Sequence, residues 1–186
     1  MDAKLFLFLN GLHFDWLDPI MIFISGKLTW TPFYLVLLFL VIKNYRKQSI
    51  LIFIAIILLV VCSDQISSSV FKPLFERPRP CHNEAIKDLV YLPNGRCGGA
   101  YGFISSHACN AFALAVFITQ ILKKYYSKIA WVMFTWASLV AYSRIYMGVH
   151  YPGDVIVGAL VGTIIGILIF KLYKLRTLTV DAGTDC

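Results

Sequence analysis

Long apolar segments separated by short polar ones dominate the sequence. A helix needs about 20 mostly apolar residues to cross a bilayer. Segments close to that length lie at residues 50–71, 104–122, 129–147 and 154–173, and a fifth runs from about Leu28 to Arg46. The pattern predicts an all-α integral membrane protein, a helical bundle with about five transmembrane helices and six as the alternative.

Residues 1–26 have a different pattern, in which polar and aromatic residues alternate. Asn10, Asp15 and Asp18 would be costly inside hydrocarbon. Because Phe14 and Trp16 lie between them, we expect interfacial helices that rest on the membrane surface. The segment has no strong basic start and no small-residue cleavage site, so we expect it to remain in the mature protein.

Composition supports a membrane protein. Of the 186 residues, 59% are hydrophobic and 15% are charged, whereas soluble domains are about 45–50% apolar and about 25% charged. We expect one domain over residues 1–186, with a loop at 73–103 and a flexible tail at 177–186.

The distribution of the net charge of +7 indicates a membrane and argues against nucleic acid as a partner. In a five-helix arrangement, nine of the 17 basic residues fall on one side, in three short clusters, and eight of the ten acids fall on the other side. By the positive-inside rule, the basic side is cytoplasmic. We expect a bacterial inner-membrane protein with loop 73–103 facing the exterior and the C-terminus in the cytoplasm. The clusters are Lys43, Arg46 and Lys47; Lys123, Lys124 and Lys128; and Lys171, Lys174 and Arg176.

Loop 73–103 is long enough to suggest a function. It contains Cys81 and Cys97, whose spacing matches no zinc pattern, and a disulfide or two free thiols are both open at this point. Arg77 and His82 border the motifs below, and we interpret them as loop residues that contact a lipid head group.

Polar residues gather where the predicted helices reach the exterior. Arginine and lysine suit phosphate oxygens, the start of a helix favours an anion, and two histidines can divide nucleophilic and acid–base roles. His150 and Asp154 are four residues apart, so one helical turn would let the carboxylate orient the imidazole. Pro152 is typical of a first helical turn. The residues are Lys72, Arg79, Ser105, Ser106, His107, Arg144, His150 and Asp154.

Three motifs resemble the signature of the type 2 phosphatidic acid phosphatase (PAP2) superfamily. They are Lys72-(x6)-Arg79-Pro80, Ser105-Ser106-His107 and Ser143-Arg144-(x5)-His150-(x3)-Asp154. The family's middle motif usually reads Pro-Ser-Gly-His, whereas Ile104-Ser105-Ser106-His107 stands here. We expect this difference to alter substrate fit more than reaction type.

The resemblance implies three catalytic residues. His150 would attack phosphorus and form a phosphohistidine, and Asp154 would orient His150. His107 would protonate the leaving oxygen and later activate water.

The resemblance also implies five phosphate-binding residues. Lys72, Arg79 and Arg144 would hold the phosphoryl oxygens, with help from Ser105 and from backbone N–H groups near Ser106. The family requires no metal or other cofactor, and the sequence has neither a carboxylate cluster for magnesium nor a zinc spacing.

The expected function is therefore hydrolysis of a lipid phosphate or diphosphate at the exoplasmic face. The resemblance suggests lipid A phosphates, undecaprenyl diphosphate, phosphatidylglycerol phosphate or phosphatidic acid, with the first two favoured. A lipid phosphotransferase of the same fold and a non-enzymatic protein that binds anionic lipids are the alternatives. The expected partners are the lipid substrate and the bilayer, and no oligomeric state is predicted.

Overall fold

The expected all-α fold is confirmed. The computed structural model describes residues 1–26 and 28–182, with side chains as far as Thr177, and this part of the chain forms no β-strand beyond one isolated bridge between Pro78 and Tyr101. Its α-helices are α1 (Asp2–Asn10), α2 (Asp18–Ser25), α3 (Thr31–Tyr45), α4 (Ser49–Gln65), α5 (Lys72–Phe75), α6 (Ser106–Leu122), α7 (Ile129–Tyr146) and α8 (Pro152–Ala182).

The five predicted apolar segments correspond to α3, α4 with its continuation, α6, α7 and α8. A π-helical segment, Ile66–Phe71, joins α4 to α5 without leaving the helical region of backbone space. Helix α8 begins at Pro152, as predicted, and continues to Ala182, so most of the predicted flexible tail is helical. Residues 183–186 of that tail lie outside the described residues.

Two helical stretches are long and apolar enough to cross a membrane. They are Thr31–Phe75, which contains α3, α4 and α5, and Pro152–Thr177, and a shorter apolar helix is Ser106–Leu122. The number of membrane spans and the interfacial position of residues 1–26 stay predictions.

Helices α6 and α8 are in direct backbone contact. A Cβ atom at Gly158 would lie 2.7 Å from the Ser105 carbonyl oxygen, one at Gly166 would lie 2.6 Å from that of Ala113, and one at Gly162 would overlap the Cys109 carbonyl group. Three glycines at four-residue spacing thus let the two helices approach more closely than any side chain would permit.

Hydrogen bonds fix the directions of α3 and α4 relative to α6. Ser63 of α4 donates to Asn110 of α6, and Ser68 bonds to Ser106 one turn further on, so these helices are antiparallel. Tyr45 at the end of α3 donates to the Ile121 carbonyl near the end of α6 at 2.7 Å, so α3 and α6 run in the same direction.

The N-terminal helices pack on the end of the bundle where α7 ends and α8 begins. Phe6 is fully buried and meets the Tyr151 ring edge-on, with 5.4 Å between ring centroids. The Asn10 amide donates to the Tyr146 carbonyl at 2.9 Å and accepts from the Tyr91 amide at 2.8 Å. Helix α1, loop 73–103 and α7 are therefore held together at this end.

Two connections fasten loop 73–103 to itself. Cys81 and Cys97 form a disulfide, which resolves the alternative that the sequence left open. The Arg79 amide donates to the Ala100 carbonyl at 3.1 Å, next to the bridge between Pro78 and Tyr101. The stretch with Arg79 therefore lies in a closed and cross-linked part of the loop.

Candidate active site

A cavity of about 750 Å³ lies between α3, α4, α6 and α7 and reaches the end of the bundle that loop 73–103 covers. Its wall combines a cationic, histidine-bearing part with an apolar part. Six of the eight residues predicted from the motifs line it: Lys72, Arg79, Ser106, His107, Arg144 and His150.

The other two predicted residues lie behind the cavity wall. Ser105 is fully buried, and its hydroxyl accepts from the Ala108 amide at 3.5 Å as the N-cap of α6. Its own amide donates to the Asp154 carbonyl at 3.0 Å. Ser105 thus places the first turn of α6, with Ser106 and His107, beside the first turn of α8.

His150 lies in the short loop between α7 and α8 and is 2% exposed. Arg79 Nη1 lies 3.3 Å from its Nε2 atom. Because a guanidinium can only donate, this contact assigns the ring proton to Nδ1 and leaves the lone pair on Nε2. The structure thus gives His150 the tautomer that a nucleophile attacking through Nε2 needs.

Asp154 stands on the opposite side of the His150 ring, in the first turn of α8. Its Oδ2 atom is 3.6 Å from His150 Nδ1, which is longer than a hydrogen bond but places a carboxylate beside the ring proton. The same oxygen accepts from the Tyr151 amide at 3.0 Å. The expected pairing of the two side chains is present as a close approach, with His150 just outside the helix.

The surroundings of His150 favour its neutral form. Burial lowers the pKa of the imidazole well below its ordinary value, and the positive charges of Arg79, Arg144 and Lys72 lower this pKa further. Burial and the neighbouring cations therefore both disfavour protonation of the ring.

Backbone and side-chain contacts hold two of the cations in place. Arg79 Nη1 donates to the Val149 carbonyl at 3.1 Å, one residue before His150. Arg144, in the last turn of α7, donates to the Ser25 hydroxyl at the end of α2. Together with Lys72 they put three positive charges on one cavity wall, an arrangement suited to a multiply charged anion.

Arg77 has a different place from the one interpreted above. It forms ion pairs at 2.7 Å with both Asp154 and Asp2, and its guanidinium lies 4.1 Å from the centroid of the Tyr151 ring. It therefore belongs to the support of the candidate catalytic residues. No sequence motif links Asp2 to Arg77, and only the tertiary structure brings them together. Ser25, which accepts from Arg144, is a second residue near the site that no sequence motif indicates.

In the described part of the chain, one group of side chains has metal-ligating types within reach of one another: Cys81, His82 and Cys97. The two sulfur atoms are already joined in the disulfide. Since thiolates are the form that binds metals, this group is not a ready metal site.

The cavity therefore places a neutral, oriented imidazole, a second histidine and three cations around one space. Such a set can bind a phosphoryl group, attack its phosphorus and move a proton to the leaving oxygen.

Comparisons with known proteins agree with this chemistry. Residues 53–178 match the PAP2 superfamily. The chain is 38% identical over 186 residues to a lipid A 4'-phosphatase of Bacteroides thetaiotaomicron, covering 99% of this chain and 82% of that protein. It is 42% identical over 175 residues to a lipid A 4'-phosphatase of Porphyromonas gingivalis, covering 93% of this chain and 73% of that protein.

Two crystal structures are similar in fold. LpxE of Aquifex aeolicus superposes with a TM-score of 0.63 at 29% identity, covering 90% of this chain and 93% of that chain. A PAP2-type phosphatidylglycerolphosphate phosphatase of Bacillus subtilis superposes with a TM-score of 0.70 at 22% identity, covering 96% of this chain and 85% of that chain. The predicted family is confirmed: the chain belongs to the PAP2 superfamily and is a membrane phosphatase.

Proposed function

We propose that the protein removes phosphate from a membrane lipid at the exoplasmic face, through a phosphohistidine at His150. The observation that carries this proposal is the composition of the cavity wall. One continuous space joins the histidines and cations to an apolar interior, as a phosphorylated lipid requires.

The apolar part of the cavity runs deep between the helices. On α6 the lining extends from Ser106 to Ile118, which is a depth of about 18 Å at 1.5 Å per residue. A hydrocarbon chain would lie there with its phosphate beside His150. The apolar lining includes Trp30, Leu37, Val41, Phe53, Ile56, Leu114, Trp136 and Val140.

In the first chemical step, the Nε2 lone pair of His150 forms a bond to phosphorus. The bond between phosphorus and the lipid oxygen breaks, and that oxygen takes a proton from His107 and leaves as the lipid alcohol. Lys72, Arg79 and Arg144 stabilise the charge on the phosphoryl oxygens in the transition state, and Asp154 stabilises the imidazolium of the intermediate.

In the second step, water replaces the lipid oxygen at phosphorus. His107 takes a proton from this water, whose oxygen forms a bond to phosphorus. The bond between phosphorus and Nε2 breaks and returns its electron pair to His150. The products are the lipid alcohol and inorganic phosphate, and no cofactor or metal takes part in either step.

The proposed substrate is a lipid A phosphate. Support comes from the two relatives above, which are more similar to this chain than an undecaprenyl-diphosphatase of Sulfolobus acidocaldarius, 29% identical over 171 residues. Undecaprenyl diphosphate is therefore the second candidate. Phosphatidylglycerol phosphate and phosphatidic acid complete the set to be tested.

Two observations support the proposed orientation in a bacterial inner membrane. The three basic clusters lie at the ends of α3, α6 and α8 and at the adjoining starts of α4 and α7, opposite the site. The Cys81–Cys97 disulfide lies on the side of the site, and disulfides persist in oxidising compartments. With five spans, the site faces the periplasm and the C-terminus faces the cytoplasm.

The test is a phosphate-release assay of the purified protein with each of the four lipids, alongside His150→Ala. We expect release from lipid A, and a loss of at least about 10³-fold in kcat for His150→Ala because the nucleophile is gone. Mass spectrometry of quenched reactions should find phosphate on the peptide that contains His150.

Each alternative predicts another result. A phosphotransferase would release free phosphate only after a second lipid acceptor is supplied, and would pass phosphate to that lipid. A non-enzymatic lipid-binding protein would show no turnover and would keep its lipid affinity after His150→Ala. Either result would overturn the proposed hydrolysis.

A further inference from the structure

The carboxylate of Asp154 has two sides with different neighbours. Oδ2 lies beside His150 Nδ1 and accepts from the Tyr151 amide, whereas Oδ1 accepts from Arg77 Nη1 at 2.7 Å. Asp154 is fully buried, so its charge needs a partner. Arg77 supplies that partner on the side away from His150.

Arg77 is itself held by the N-terminal helix. Its Nη2 atom donates to Asp2 Oδ2 at 2.7 Å, and Asp2 Oδ1 accepts from the Gly153 amide at 3.0 Å, in the first turn of α8. Asp2 and Asp154 thus occupy the two nitrogens of one guanidinium. A planar guanidinium can bridge two carboxylates in this way, which the single nitrogen of lysine does less well.

The packing of α1 fixes the position of Asp2. Phe6, one turn further along the helix, is fully buried against Tyr151, and the Asn10 amide ties the end of α1 to α7. Asp2 also lies outside residues 53–178, the part of the chain that matches the superfamily. The bridge therefore joins two residues of the matched region, Arg77 and Asp154, to a residue outside it.

The bridge changes the charge that His150 meets. Arg77 and Asp154 alone would form a neutral pair, and a neutral pair stabilises an imidazolium poorly. Asp2 offsets the positive charge of Arg77, so the charge of Asp154, and with it a net charge of −1 over the three side chains, remains beside His150. The attack on phosphorus puts a positive charge on the imidazole, and this net charge offsets it.

We propose that Asp2 and Arg77 are positioning residues for catalysis: Asp2 holds Arg77 on Oδ1 of Asp154, which leaves Oδ2 and a net negative charge facing His150. The proposal rests on the roles proposed above for His150 and Asp154. It adds that turnover depends on Asp2, which is separated from the cavity by His150 and Asp154.

The test compares Asp2→Asn with wild-type protein, using bis-phosphorylated lipid A and dioctanoyl phosphatidic acid in detergent micelles. Neither Asp2 nor Arg77 lines the cavity. We therefore expect kcat to fall about tenfold with KM unchanged. In single-turnover experiments the rate of phosphohistidine formation should fall by the same factor. Asp2→Glu, which restores a carboxylate, should recover most of kcat.

A double-mutant cycle separates positioning from general stabilisation. Arg77→Met should lower kcat at least as much as Asp2→Asn, and the double variant should equal Arg77→Met, because Asp2 acts through Arg77. Asp88→Asn makes the same chemical change at an exposed loop position and should leave kcat at the wild-type value.

The outcomes distinguish a failure of the positioning proposal from a failure of the proposed function. If His150→Ala abolishes turnover but Asp2→Asn keeps the wild-type kcat and loses only thermal stability, the positioning proposal is wrong and the proposed function stands. If His150→Ala retains turnover, the proposed function fails first. Independent, multiplicative effects of Asp2→Asn and Arg77→Met would also overturn the proposal.

Discussion

The two sides of the cavity are built differently. On the side of α6 and α8, Gly158, Gly162 and Gly166 bring two helix backbones into contact. On the side of α3 and α4, the helices stand apart and apolar side chains such as Leu37 and Phe53 face a space of about 750 Å³. The helices are thus packed very closely on one side of the cavity and loosely on the other.

In the proposed mechanism, this difference separates chemistry from lipid binding. His107 lies in the first turn of α6, and His150 and Asp154 flank the start of α8. The close packing of these two helices therefore fixes the groups that we propose to exchange protons and attack phosphorus. Catalysis depends on geometry at the scale of an ångström, which rigid elements supply. A lipid chain needs volume and apolar contact but little exact geometry, and the open side supplies both.

Gly162→Ala is expected to have the largest effect, because it disrupts the close packing of α6 and α8. Its methyl group would overlap the Cys109 carbonyl group, and backbone atoms of two packed helices cannot move aside independently. We expect a loss of about 3 kcal/mol in the free energy of unfolding, at the upper end for overpacking, together with most of the activity. Thermal unfolding in detergent and phosphate release measure the two effects.

Gly99→Ala is the matched control for that variant. A Cβ atom at Gly99 would meet no atom within 4 Å. Its unfolding temperature and turnover should therefore equal those of the wild-type protein. Equal stability of Gly162→Ala and Gly99→Ala would show that contact between α6 and α8 is not what holds the site.

Val140→Phe tests the open side and should have a moderate effect. Val140 lines the cavity on α7, and a phenyl ring there would occupy part of the proposed chain-binding space. We expect turnover of a long-chain lipid phosphate to fall about tenfold, mainly through KM, and turnover of dioctanoyl phosphatidic acid to change much less. Steady-state kinetics with both substrates measure the selectivity.

Val132→Phe makes the same substitution on the same helix, at a residue that is 49% exposed on the outer surface. It should leave both substrates unaffected. If Val132→Phe and Val140→Phe reduce long-chain turnover equally, the cavity is not the site of the lipid chain.

The smallest predicted effect concerns pH and the cations above His150. Burial and the charges of Arg79, Arg144 and Lys72 lower the pKa of this imidazole, so its protonation should limit kcat/KM only well below the ordinary histidine value of about 6.5. Arg144→Gln removes one positive charge, which favours the protonated ring. The acid limb of kcat/KM should therefore move to higher pH.

Comparing the wild-type protein with Arg144→Gln removes the effect of substrate ionisation on the pH profile, since the phosphate of the substrate ionises identically in both assays. Profiles of kcat/KM over a range from about pH 4 to pH 9 suffice. An acid limb that stays in place, or that moves to lower pH in Arg144→Gln, would contradict a nucleophilic histidine under the influence of these cations.

The sequence predicted the helices well because their signal is local. Runs of apolar residues place α3, α4, α6 and α7 within a few residues of their observed positions. Pro152 marks the start of α8, which continues past residue 173, the end of the predicted segment, to Ala182. Six of the eight motif residues line one cavity because all six lie in helix ends or loops at the same end of the bundle.

Other parts of the site have no local signal. Ser105 belongs to a family motif, yet its hydroxyl caps α6 while Ser106 and His107 reach the cavity. Arg77 stands between two motif residues, and nothing in its neighbourhood along the chain indicates a bridge to Asp2.

The sequence by itself determined the fold class, the family and the residues available for phosphate chemistry. The length of an apolar segment and the spacing within a motif are properties of short stretches of chain, and these stretches contain that information. Only the tertiary structure decided which cation faces the cavity and which supports Asp154, that Nε2 of His150 has a lone pair, and how deep the apolar space extends. Such features depend on distances between residues far apart in the chain, as with the 2.7 Å that joins Asp2 to Arg77.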